Sequence, residues 1–184
     1  MLTPITGKYL PALKCLLSAY QINPDHPKCH EQGGKFKLAI DNLSEFYGQN
    51  PLAAQLVVHG DSFKDYLIGI SVPEPTTFAP MASKLLGRTI AAEDTAALEQ
   101  ACQDERVVAA YLDAYTKIAR QNNLKGYEYI KGLYLTMEPF SVENGLLTPA
   151  FKVKRHEAVK HFKDQIEAVY AKGPINVSSG RAKL

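Results

Sequence analysis

The sequence predicts an α+β fold, a small β-sheet that contains a hairpin and is packed by helices. Three observations carry that prediction. Two β-rich runs, AAQLVVHG and DYLIGISV, flank turn residues at Gly60, Asp61 and Ser62, as a hairpin requires. Apolar residues then recur at helical spacing, first at Ala97, Leu98 and Ala101 and again from Val107 to Ala119. A third β-rich run, YIKGLYLTM, comes after those helices and precedes another helical stripe, so strands and helices are mixed without a regular alternation.

Taken in order, residues 1–34 differ in texture from the rest. Leu10, Leu13, Leu17 and Tyr20 fall at helical spacing, and QINPDHPKCHEQGG reads as an irregular linker. The compact domain is expected over residues 35–173, opening with KFKLA, strand-like or turn-forming, and a short helix in IDNLSEFYGQNP that Pro51 follows. PEP ends the second strand, because proline has no N–H for a central ladder.

Glu93 and Asp94 stand where negative charge suits a helix N-terminus. Val107, Val108, Tyr111, Leu112, Tyr115, Ile118 and Ala119 form one buried stripe, with a stop signal near Gly126. Tyr127, Tyr129 and Tyr134 read as a strand and its flank. A single final helix places Val159, Phe162, Ile166, Val169 and Tyr170 on one face, and Gly173-Pro174 stops it. Residues 174–184 are a polar tail.

Composition narrows the function classes. The 184 residues suit one domain of ordinary size, with hydrophobic content of 46% and a formal net charge of +2. That balance gives no electrostatic case for nucleic acid as a main partner. A basic run, KVKRHEAVKHFK, is offset by the Asp164 and Glu167 that follow it. The longest apolar runs, AAQLVV and VVAAYL, fall far short of the roughly 20 residues of a transmembrane segment. Cys15, Cys29, His26 and His30 are the residues nearest to a metal set, but their spacing matches no usual zinc module, so no metal site is expected. His59, in HGD, reads as a turn or packing histidine, since no serine or cysteine nucleophile motif accompanies it.

The stretch GLLTPAFKVKR brings Lys152, Lys154 and Arg155 to the start of a helix. Taken alone, such side chains are solvated surface charges. Together with KFKLA and VVHGDSFKDYLIGISVPEP, in the same order, the run GYEYIKGLYLTMEPFSVENGLLTPAFKVKR resembles the C-terminal domain of the long-chain acyl-CoA synthetases, within the AMP-binding, adenylate-forming enzymes. The resemblance implies a mobile lid. In that family a fatty acid carboxylate attacks the α-phosphate of ATP to give an acyl adenylate, and coenzyme A then displaces AMP.

Carried over by motif, Lys152 corresponds to the adenylation lysine and Lys37 to the lysine of the face used for thioester formation. ATP, with Mg2+, is held mainly by a larger preceding domain, and coenzyme A is the co-substrate. This chain departs from the pattern at HEQGGK, where the family has an acidic residue followed by basic ones, and after FKLA, where a Gln-Gly-Glu-Tyr segment is usual. The Ser/Thr/Gly-rich phosphate loop of the larger domain does not occur in the sequence. The expectation is therefore a truncated form or fragment of a long-chain fatty acid–CoA ligase that carries mainly the lid and is inactive alone. The alternative is a non-catalytic, lid-like binding or regulatory module acting on a full-length synthetase. Ala182, Lys183 and Leu184 form a variant of the Ser-Lys-Leu address, which implies the peroxisome and its import receptor as a partner, with a cytoplasmic location otherwise.

Overall fold

The computed structural model describes residues 43–44, 46–61, 64, 66–124, 126 and 128–175. KFKLA, the expected N-terminal helix, the cysteine and histidine cluster at residues 15–30, and the C-terminal tripeptide lie outside them.

Strand β1 (Ala53–Gly60) pairs antiparallel with β2 (Leu67–Pro73), and Val57 stands opposite Ile70. This is the hairpin read from the sequence. Strand β3 (Ile130–Leu135) lies parallel to β2, giving the order β1-β2-β3. Every residue of central β2 is buried, as a strand covered on both faces requires.

One face is covered by α1 (Pro75–Leu86), α2 (Thr95–Cys102) and α3 (Glu105–Gln121). Phe78, Leu98, Tyr111, Leu112 and Tyr115 meet Val58, Leu67, Leu133 and Leu135 there in one apolar core. The opposite face carries α4 (Arg155–His161) and α5 (Lys163–Lys172). Phe140, Leu146, Leu147, Phe162 and Ile166 pack there on Val57, Ile68 and Ile70. Gly132 lets α5 approach closely: a Cβ on it would stand 2.6 Å from Val169 Cγ1 and 2.9 Å from Ile68 Cγ2.

Helices α2 and α3 start at acidic caps. The Asp94 side chain accepts a hydrogen bond from the Ala97 N–H, and that of Asp104 accepts one from the Arg106 N–H. Two expectations are corrected. PEP does end β2, but Pro75 also opens α1, because the first turn of a helix has no partner for the N–H that proline lacks. The C-terminal stripe is two helices, broken at the buried Phe162, whose φ of −96° and ψ of 24° leave the helical range. Helix α3 stops at Gln121, five residues before Gly126, with Asn123 beyond it at a φ of 53°.

Candidate functional site

The site is built on the segment between β3 and α4. Residues 139–146 are pinned to the sheet by Gln55, whose Nε2 donates to the Phe140 carbonyl at 2.9 Å while its Oε1 accepts from the Phe140 N–H at 2.6 Å. Asn144 then folds the chain on itself. Its Oδ1 accepts from the backbone of Ser141 and Leu146, and its Nδ2 donates to the Pro139 carbonyl. Gly145 supplies the positive φ, 77°, that turns the chain there.

From this base rises a small hairpin. Leu147 and Val153 form an antiparallel bridge, and the Lys154 N–H donates to the Leu146 carbonyl at 2.8 Å. Thr148 to Phe151 make the turn, closed by the Phe151 N–H donating to the Thr148 carbonyl at 2.8 Å. Pro149 occupies its second position, where a fixed φ is preferred. Phe151 is 78% exposed and carries a φ of 56°, a backbone region that bulky residues rarely adopt. Lys152 follows, exposed, with Leu146 and Leu147 buried beneath it as the anchor.

A surface groove of about 1020 Å³ opens beside the hairpin. Lys152, Val153, Lys154, Arg155, His156 and Ser44 line it, and among the described lining residues Glu157 is the only carboxylate. Such a lining suits an anionic group. Among the described residues no three His, Cys, Asp or Glu side chains are grouped to hold a metal ion such as Mg2+.

Arg155 departs from its expected place on the surface. Its Nη1 donates to the Val58 carbonyl at 2.9 Å and its Nη2 to Ser44 Oγ at 3.2 Å, so one guanidinium ties α4, the outer edge of β1 and the helical residues before β1 together. Lys154 is exposed and precedes α4. His59 lies in β1, opposite Ile68, and packs on Tyr170 at 6.2 Å between ring centroids. It is a packing histidine, as one of its two sequence readings had it. Burial first, and the nearby Arg155 charge after it, lower its pKa against the opposing pull of Asp61. Burial pushes the Cys102 thiol up to about 12, so it is no nucleophile near neutral pH.

Of the residues singled out in the sequence, the structure places Lys152 in the hairpin beside the groove, while Lys37, Ala182, Lys183 and Leu184 lie outside the described residues. Sequence reasoning missed Thr148 and the anchoring role of Arg155. Thr-Pro at the start of a turn was the available signal for the first.

Among the described residues no helix is long and apolar enough to cross a membrane. No family model matches the chain. The chain is 42% identical over 131 residues to a peroxisomal acyl-CoA ligase (acyl-CoA ligase 891) of Penicillium roqueforti, a match that covers 71% of this chain and 18% of that protein. It is 35% identical over 133 residues to long-chain-fatty-acid–CoA ligase 5 of Rattus norvegicus, covering 72% and 18%. Among solved structures it is similar to the A-PCP didomain of a carboxylic acid reductase from Segniliparus rugosus in complex with AMP. There the identity is 30% and the TM-score 0.56, over 72% of this chain and 16% of that one. The chain thus spans about a fifth of the length of the curated relatives it matches.

Proposed function

We propose, from the premise that the chain belongs to the acyl-CoA ligase family of adenylate-forming enzymes, that it acts as the C-terminal lid of a long-chain fatty acid–CoA ligase. In this reading residues 35–173 are the lid and Lys152 is the group it delivers to the adenylation step. The observation that carries the reading is the placement of that lysine. Its backbone is held in a bridged hairpin on a buried base, its side chain is exposed, and a basic groove lies next to it.

The chemistry follows from the ammonium group. When a fatty acid carboxylate attacks the α-phosphate of ATP, negative charge gathers on the phosphate oxygens as pyrophosphate leaves. A compact cation brought there by a fixed backbone stabilises that charge more in the transition state than in the ground state. Mg2+ would travel with ATP and be held outside the described residues. Lys37 is proposed for the thioester step with coenzyme A, and Ala182-Lys183-Leu184 for delivery to the peroxisome through its import receptor.

The test places the full chain behind the remainder of a relative ligase, in place of the matched segment, and follows pyrophosphate release with ATP and a long-chain fatty acid. Lys152→Ala should lower the adenylation rate on the order of a hundredfold. An unchanged rate rejects the reading. A second reading, a regulatory module that docks on a complete synthetase, is favoured by the exposed Phe151 and Val153 on either side of the lysine. It predicts that the separate chain, added to such an enzyme, alters its rate.

A further inference from the structure

We propose that Thr148 is the positioning residue for Lys152, an inference that rests on the adenylation role given to that lysine above. A lysine head swings on four methylenes, so its reach is set by how firmly its own backbone is held. Both backbone hydrogen-bonding groups of Lys152 are held by Thr148. The Lys152 carbonyl accepts from the Thr148 N–H at 2.8 Å, and the Lys152 N–H donates to Thr148 Oγ1 at 3.1 Å. The Thr148 carbonyl accepts from the Phe151 N–H at 2.8 Å as well, so one residue closes the turn three times.

Those bonds offset a local cost. Phe151 sits at a φ of 56° while its ring lies 78% exposed, so little packing of its own keeps it there. A conformation of that kind persists only where surrounding contacts over-determine it. Thr148 supplies these contacts, and it stands on the buried Leu146 and Leu147; the Lys154 N–H ties Leu146 to the start of α4, which the Arg155 guanidinium fastens to β1. The hydroxyl is the replaceable part of this arrangement. Valine keeps the shape and the backbone N–H but removes the acceptor for Lys152, whereas serine keeps the acceptor.

The experiment uses the same full-chain fusion and measures the two half-reactions separately, adenylation by pyrophosphate release and thioester formation from preformed acyl adenylate. Thr148→Val should lower kcat for adenylation roughly tenfold or more, with KM for ATP and fatty acid unchanged and the thioester half-reaction intact. Thr148→Ser should stay near the parent. In the full chain by itself, amide exchange at Lys152 should quicken in the valine variant and not in the serine variant. Equal loss in both half-reactions would mark general damage to the fold and overturn the proposal. So would parental kcat in Thr148→Val when Lys152→Ala is impaired. If Lys152→Ala is itself unimpaired, the adenylation reading fails first and the positioning role falls with it.

Discussion

Ser71 and Thr148 are both hydroxyl residues with several hydrogen bonds, yet they work in opposite surroundings. Ser71 is fully buried in β2, and its Oγ meets the Tyr111 hydroxyl at 3.1 Å and the Tyr115 hydroxyl at 3.0 Å, from a helix forty residues further along. Tyr111 donates its own proton to the Leu52 carbonyl, so Ser71 must supply the proton for their contact, in competition with the Gln55 carbonyl. Among the described residues Thr148 bonds only within four residues of itself, at a partly exposed turn. The first network joins distant elements and raises the cost of separating them. The second shapes a few residues and leaves the rest of the fold indifferent to them. Stability and site geometry are thereby carried by different parts of the molecule.

The largest effect should come from the first region. Leu112 is fully buried on α3 within the core shared by β2 and β3. Leu112→Ala should cost about 2–5 kcal/mol of unfolding free energy, read as a lowered urea midpoint. A loss under about 1 kcal/mol would mean that α1, α2 and α3 collapse onto the gap, and the contrast with the hairpin would break.

A smaller effect should appear at His59, which packs on Tyr170 at the end of β1. Its folded pKa is lowered, by burial first and then by the Arg155 charge. The unfolded chain therefore binds the proton more readily. The stability tied to neutral His59 is complete above the ordinary histidine value of about 6.5 and is lost as pH falls below it. Urea midpoints at pH 7.5 and pH 5.5 should differ more for the parent than for His59→Gln. Equal differences would assign the pH dependence to other groups.

Much of this architecture was legible from periodicity. β1 and β2 read as a hairpin, and the α3 stripe predicted Tyr111, Leu112 and Tyr115 as core, because burial on one face imposes a spacing that the sequence displays. The missing parts have a different physics. Pro75 reads as a stop because proline lacks an N–H, and only the structure shows that this N–H falls in the first turn, where none is needed. The break at Phe162 leaves no mark in a stripe that keeps its apolar period across both helices. At the site, Lys152 was found by motif resemblance. Arg155 was read as surface because its partners, Val58 and Ser44, lie about a hundred positions away, and no local pattern encodes a contact of that separation.

The smallest effect sharpens the comparison most, because it is expected to have the opposite sign. Phe151 holds a φ of 56°, which disfavours every residue with a Cβ but not glycine. Its ring is mostly in water, so removing it forfeits little burial. Phe151→Gly trades relief of strain for a more flexible unfolded chain, and the net should be a gain of about 0.5 kcal/mol or less. Phe151→Ala keeps the strain and serves as the control, with a midpoint close to the parent. If glycine instead costs more than about 1 kcal/mol, the phenyl ring itself supports the turn, and the hairpin cannot be treated as held by Thr148 alone. If glycine stabilises and alanine does not, the strain is local to the hairpin, and a change there can alter the presentation of Lys152 without being felt in the Ser71 network.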